Sequence, residues 1–352
     1  MGHNKISGFK IYVKLFLLTV LFSPHGLMAQ SVVYTDHQYG VGKTHGFSFI
    51  QLTDTHIGEG APNGDYGTHG WLDEMPAGDV GNAAIRLRKS VRWINEQADS
   101  LKIKFVIITG DITDSGERSE FLKFKEIMDE LKIPYIPLVG NHDVWPYSRN
   151  DEASTPCGDS LMNDIFAGQY LKLSSIFPHW DNGTRITRNL NPETQNYNRL
   201  QNFSFEYNGY TFLLADFGTR KHAEPGELGV GPQADLHDFG NGTFSWLKTQ
   251  LERHRHGSEN IFIFTHWPLT KDPLVNVHVS SMAFSITEYG KMAKMLYPYR
   301  SQVAYWFCGH IHRNKLQSIT RPDEAEEIAI CIETAANKKF ENGHVRVVRV
   351  WE

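Results

Sequence analysis

The sequence predicts an α/β protein on three observations. Short apolar runs of strand length alternate with stretches whose apolar residues recur every three or four positions. Five of those runs end in Asp, Asn or His, the residue types that line sites at the carboxyl ends of strands in such sheets. The composition, 40% hydrophobic and 12% aromatic over 352 residues, supplies a large core and excludes a disordered chain or a disulfide-dense miniprotein.

The elements follow in order. Phe47 to Leu52 is a strand, and Ala84, Leu87, Val91, Ile94 and Ala98 form one face of a helix. Phe105 to Thr109 is a buried strand, followed by a helical stripe at Phe121, Phe124, Met128 and Leu131 and a strand from Tyr135 to Val139. Later, Phe244, Leu247 and Leu251 mark a helix before the strand Ile261 to Phe264. Ser285 and Glu288 form a capping-box pair, opening a helix with Ile286, Tyr289, Ala293 and Leu296 inward, and the strand Val303 to Phe307 comes next. Strands interleaved with amphipathic helices imply a buried sheet.

Three stretches lack periodicity, near 58–79, 145–202 and 221–242, and read as long inserted loops. Nothing between 45 and 352 resembles a linker, so a single domain is expected there. Residues 1–29 read as a secretory signal. Lys5, Lys10 and Lys14 precede the short apolar run Leu15 to Phe22, and a small residue, Ala29, stands before Gln30. That run is shorter than the roughly 20 residues a spanning helix needs, so no stable transmembrane anchor is expected.

Three lysines and no acid leave with that segment, moving the formal charge from −5 to −8. A nucleic-acid-binding surface is therefore not expected. The expectation is a protein exported to the periplasm or the extracellular space. Its three cysteines, Cys157, Cys308 and Cys331, allow at most one bridge, and the two in strand-like runs read as buried thiols.

The strand ends carry the chemistry. They deliver Asp54 and His56, then Asp111, then Asn141, His142 and Asp143, then His266, then His310 and His312. Singly, each is most often an ordinary polar residue; together they place three carboxylates, one amide and five imidazoles along one rim. Residues separated by one, as in Asp54/His56 and His310/His312, point the same way on an extended backbone. Mixed nitrogen and oxygen donors without thiolates suit Zn, Mn or Fe. So many donors exceed one ion, and a carboxylate shared between two metals about 3.5–4 Å apart accommodates them. The remaining histidines read as surface residues.

The series Asp54-x-His56, Gly110-Asp111, Gly140-Asn141-His142-Asp143, His266 and Gly309-His310-x-His312 resembles that of the calcineurin-like metallophosphoesterases. In detail it is most similar to the branch holding the class III cyclic-nucleotide phosphodiesterases, with purple acid phosphatases more distant. The resemblance implies a four-layer α/β/β/α sandwich with two divalent or mixed-valence metals, Mn, Fe or Zn, at the strand ends. It implies that Asp54, His56 and His312 hold one metal, that Asp111 bridges, and that Asn141, His266 and His310 complete the other. His142 is then no ligand but contacts the phosphate and acts as, or positions, the acid that protonates the leaving group, with Asp143 orienting it.

The implied reaction is phosphodiester hydrolysis by in-line attack of a metal-bridging hydroxide. The alternatives are a phosphomonoesterase of the same fold or a non-catalytic metal-binding scaffold. A phosphate-ester small molecule or a phospholipid head group is the expected substrate. Purple acid phosphatases carry a tyrosine three residues after the bridging aspartate, where this sequence has Asp114. Trp145 and Trp267, next to motif residues, are candidate walls of the substrate pocket.

Overall fold

A computed structural model describes residues 44–59, 78–79, 81–144, 158–192, 195, 197–220, 234–255, 260–272, 283–321, 326–339, 341 and 343–351. Residues 1–29, expected to be a signal segment, together with Trp145, Cys157 and most of the expected loops at 58–79 and 221–242, lie outside these residues. Among the described residues the chain forms two large sheets and one small ribbon. The first holds β1 (His45–Leu52), β2 (Ile103–Thr109), β3 (Tyr135–Leu138) and the last strand β12 (Arg346–Trp351), in the order β12-β1-β2-β3.

The second sheet is formed by β6 (Phe203–Tyr207), β7 (Tyr210–Leu214), β8 (Asn260–Phe264), β9 (Val303–Cys308), β10 (Lys315–Thr320) and β11 (Glu327–Glu333). Its order is β10-β11-β9-β8-β7-β6. A two-residue ribbon, β4 (Asn189–Leu190) with β5 (Tyr197–Asn198), stands apart. The pairs β1/β2, β2/β3, β7/β8, β8/β9 and β9/β11 are parallel, and β1/β12, β10/β11 and β6/β7 are antiparallel. Parallel strands share one carboxyl rim, which is what gathers the motif residues.

The sheets face each other across phenylalanine. Phe49 is fully buried on β1 and lies 5.6 Å by ring centroids from Phe105, 5.7 Å from Phe212, 5.8 Å from Phe264 and 5.8 Å from Phe307. Such ring pairs add about 0.5–1.5 kcal/mol each to the burial of their area. On the outer face of the first sheet pack α1 (Gly81–Gln97) and α2 (Arg118–Met128), with α3 (Gly158–Ile165) and α4 (Ala167–Ile176) beside them. On the outer face of the second pack α5 (Thr243–Arg253) and α6 (Ile286–Leu296), through Trp246, Leu247, Leu251, Met292, Ala293 and Leu296. The architecture is the α/β/β/α sandwich.

Three local expectations differ. The stretch 145–202 is not simply a loop, since it contains α3 and α4. The apolar residues Leu171 and Ile176 of α4 are exposed, which blurs the helical stripe. Ile286 faces solvent at 62% exposure because it occupies the first turn of α6, while Tyr289, Ala293 and Leu296 are inward. The capping box itself forms, with the Glu288 amide donating to Ser285 Oγ at 3.2 Å and the Ser285 amide donating to the Glu288 carboxylate at 2.9 Å. Cys308 and Cys331 are buried free thiols, 3.7 Å apart. His237 and His344, read as surface residues, are buried instead.

Candidate metal centre

The rim of the sandwich is built from chain reversals, each packed against the next. Asp54, His56, Asp111, His310 and His312 all have positive φ, between 44° and 70°. The paired residues thus reach the same side through left-handed turns beyond the strand ends, not through strand alternation. Backbone held this way costs about 1–3 kcal/mol per residue and persists only where its surroundings fix it. The motif glycines explain how the turns fit together. Gly110 has φ +93°, and a Cβ there would lie 2.6 Å from the Gly140 amide nitrogen and 2.7 Å from His266 Nδ1. A Cβ on Gly140 would collide with Asp111 in return, 2.2 Å from Oδ1.

Among the described residues three groups of donor side chains result, one of them His56, Asp114 and His142, and the other two share one carboxylate. Of those two, Asp54, His56, Asp111 and His312 form the first, and Asp111, His266 and His310 the second; within each, the ligand atoms lie within 4.8 Å of one another. Asp111 Oδ2 lies 3.4 Å from His56 Nε2 and 3.2 Å from His266 Nε2, the position a bridge requires. In the first group His312 Nε2 is 3.1 Å from Asp54 Oδ1. In the second, His266 Nε2 is 3.0 Å from Asn141 Oδ1 and 3.1 Å from His310 Nδ1.

The outer hydrogen bonds decide which ring nitrogens face inward. His56 Nδ1 donates to Asp114 Oδ1 at 2.9 Å, and His266 Nδ1 donates to the Thr109 carbonyl at 2.8 Å. Each ring therefore turns Nε2 toward the shared carboxylate, an arrangement that calls for positive charge there, a proton on the ring or a metal between the two. His56 Nε2 is buried and makes no hydrogen bond, the state of a ligand atom aimed at a metal. Burial of Asp54 favours its neutral form, yet the His312 hydrogen bond and the His266 charge hold its carboxyl down at about 2. Burial likewise opposes the charged form of His56 and His266, but the neighbouring carboxylates raise both to about 9. The carboxylates thus draw positive charge into the place where metals would bind, and the residues fit two cations.

His142 sits at the edge of this cluster with its side chain 26% exposed, its ring centroid 4.5 Å from that of His56. Its amide donates to Asp111 Oδ1 at 2.9 Å and its Nδ1 to the Asp114 carbonyl at 2.5 Å. Burial lowers its pKa against the pull of Asp111.

Asp143 does not orient His142. Its fully buried carboxylate accepts from the amides of Ile112 at 3.1 Å, Thr113 at 2.9 Å and Gly140 at 2.8 Å, and from the Thr113 hydroxyl at 2.8 Å. It clamps the β2 turn to the β3 turn, and burial followed by the charge of Asp111 lifts its pKa to about 6. The residue that supports both His56 and His142 is Asp114. Its signal in the sequence was its place three residues after Asp111. Trp267 is fully buried, 5.1 Å from the His266 ring and 5.9 Å from that of His310. It therefore packs beneath the ligands and offers no surface to a substrate. Trp145 lies outside the described residues.

A sandwich with a dinuclear donor set at its strand ends defines a metal-dependent phosphoric ester hydrolase. The family model for the calcineurin-like phosphoesterases matches residues 47–314, and the chain belongs to that family. A probable glycerophosphodiester phosphodiesterase of Arcobacter nitrofigilis is 24% identical over 304 residues, 83% of each chain. A probable cyclic nucleotide phosphodiesterase of Xenorhabdus bovienii is 40% identical over 43 residues, 12% of this chain and 17% of that one. Among solved structures, a dimetal phosphatase from Danio rerio shares the fold at TM-score 0.52 and 16% identity, over 88% of this chain and 94% of that one.

Proposed function

We propose that this chain is an exported phosphodiesterase that uses two divalent metals, Mn, Fe or Zn, to hydrolyse small phosphodiesters such as those of glycerol-containing head groups. The observation that carries the reading is Asp111 Oδ2, within 3.4 Å of one ring nitrogen from each donor group. The diester preference is supported by the relative that spans most of the chain, named as a probable glycerophosphodiester phosphodiesterase.

Asp54, His56, Asp111 and His312 would hold one cation, and Asp111, Asn141, His266 and His310 the other. Bound there, the pair supplies Lewis acidity toward phosphoryl oxygens and acidifies a water. The protein's own contribution is placement. Asp111 fixes the two donor groups relative to each other, and its Oδ1 tethers the His142 backbone at the same time. His142 donates its Nδ1–H to the Asp114 carbonyl, so Nε2 takes up a second proton from solvent, against the burial that lowers its pKa, and gives that proton to the departing alkoxide. Donation of that proton completes the cleavage without a covalent enzyme intermediate.

Export is supported by the layout of residues 1–29. Among the described residues no helix is long and apolar enough to cross a membrane. Two assays test the proposal. Protein loaded with Mn, Fe or Zn should turn over bis-p-nitrophenyl phosphate and glycerophosphodiesters faster than p-nitrophenyl phosphate; the reverse order makes it a phosphomonoesterase, and no turnover makes it a scaffold. Cell fractionation with N-terminal sequencing should find the chain outside the cytoplasm beginning near Gln30, and a cytoplasmic chain with an intact N-terminus contradicts export.

A further inference from the structure

One ion pair stands on the rim beside the first donor group and belongs to neither. The turn Asn337–Lys339 lies beyond the family-matched span, yet it is sewn to the first site loop. The Asn337 amide donates to the Thr53 carbonyl at 2.9 Å, and the Lys338 amide to the Asp54 carbonyl at 3.3 Å. The Arg86 guanidinium holds the Lys338 carbonyl from behind. Glu59 comes from the other side, its amide donating to the His56 carbonyl at 3.1 Å. The two side chains meet with Lys338 Nζ 3.1 Å from Glu59 Oε2; Lys338 is 15% exposed and Glu59 48%. Both backbones are thus bonded directly to ligand residues.

Charge at that place bears on which ester binds. A phosphomonoester carries close to two negative charges above pH about 6, because its second pKa lies there, and a diester carries one. A lone ammonium beside the first metal would add attraction for the dianion. Paired with a carboxylate at 3.1 Å, Lys338 itself adds little net charge to the rim, where Lys339, its Nζ donating to the His312 carbonyl at 3.0 Å, is a constant background. We propose that the Glu59–Lys338 pair is a specificity determinant, with Glu59 cancelling Lys338 and so lowering the preference of the site for dianionic monoesters relative to monoanionic diesters. The inference deepens the phosphodiesterase reading and rests on it.

The consequences are opposite for the two partners. Glu59→Gln leaves an uncompensated cation, and Lys338→Met leaves an uncompensated anion. One unit charge acting across the rim at intermediate dielectric shifts the monoester-to-diester ratio of kcat/KM by about three- to tenfold. Partly exposed ion pairs contribute little to stability, so both variants should fold, which thermal melting checks.

The experiment measures that ratio at pH 8 for p-nitrophenyl phosphate and bis-p-nitrophenyl phosphate, in wild type, Glu59→Gln, Lys338→Met and the double variant. Competitive inhibition by inorganic phosphate and by dimethyl phosphate in the same proteins gives a readout that needs no monoester turnover. The expected result is a ratio raised about three- to tenfold by Glu59→Gln, lowered by Lys338→Met, and returned near wild type in the double variant. The inhibition constants should follow the same order, and the shifts should shrink at 1 M salt, where the screening length is about 3 Å. Single variants that leave the ratio unchanged, or that move it in the same direction, overturn the proposal. The wild-type ratio separately tests the diesterase reading: a wild type that prefers the monoester sinks that reading, while the variant shifts still decide whether the pair acts.

Discussion

Asp114 is the side chain whose removal tests most about how the site is held. Its carboxylate accepts from His56 Nδ1 at 2.9 Å, whereas His142 hydrogen-bonds the main-chain carbonyl and has its Nδ1 3.9 Å from the same carboxylate oxygen. Asp114→Ala therefore removes the support of His56 and keeps that of His142. A hydrogen bond to a charged group is worth about 1.5–3 kcal/mol. The Asp114 side chain is 33% exposed, so solvent screening places the effect toward the lower end, about 1.5–2 kcal/mol. At 1.4 kcal/mol per decade this is about a 10- to 30-fold loss of affinity for the metal held by Asp54, His56 and His312.

The second metal, held by residues whose bonds do not involve the Asp114 side chain, should change by less than about threefold. Asp114→Asn keeps an acceptor and should lose less than about fivefold at the first metal. The assay is a stepwise competition against a chelator, followed by turnover at saturating metal. Equal losses at both metals, no loss at either, or turnover that saturating metal fails to restore would refute the assignment of Asp114 as a support of His56.

His142→Ala should keep both metals and lose about 10²- to 10⁴-fold in turnover, since no donor atom of the two groups sharing Asp111 is removed; loss of a metal in elemental analysis would make His142 a ligand. Asp143→Ala leaves four buried donors without their acceptor, so it should destabilise the fold by at least about 3 kcal/mol in denaturant titration; an unchanged midpoint contradicts the clamp. His56 and His266 titrate near 9 in the metal-free fold against about 6.5 unfolded. Their raised pKa values stabilise the metal-free protein fully below pH 6.5, and that stability is lost as pH rises through 9. The melting temperature of the metal-free protein should therefore fall across that window. Metal affinity should rise across it, as the ligands shed protons, and a flat affinity profile would be the contrary result.

Much of this arrangement is legible in the order of residues. The strands that deliver ligands are near-continuous apolar runs because parallel strands are buried on both faces, and each run is punctuated by a glycine or polar residue where the chain must turn. The helices α1, α2, α5 and α6 announce themselves by their inward stripes. The helices α3 and α4 do not, because α4 exposes Leu171 and Ile176 and the pair packs at the margin of the first sheet.

In the site, residue type and strand-end position suffice to nominate the donor groups. They do not reveal that left-handed turns, not pleating, bring Asp54 beside His56 and His310 beside His312. Nor does adjacency in sequence predict partnership in space. Asp143 follows His142 directly, yet its carboxylate turns inward to the β2 loop, whereas Asp114, 28 positions earlier, supplies the carbonyl that His142 needs. Hydrogen bonds that cross between loops depend on the tertiary path, and a single sequence carries no local trace of it.

The central claim is that one carboxylate, Asp111, joins two metal positions. The most direct measurement is the metal-to-protein ratio of the purified chain after saturation and desalting, for wild type and for Asp111→Ala. The account predicts two metals per wild-type chain and loss of tight binding at both positions in the variant. One metal per wild-type chain, or a variant that still holds two, would contradict it.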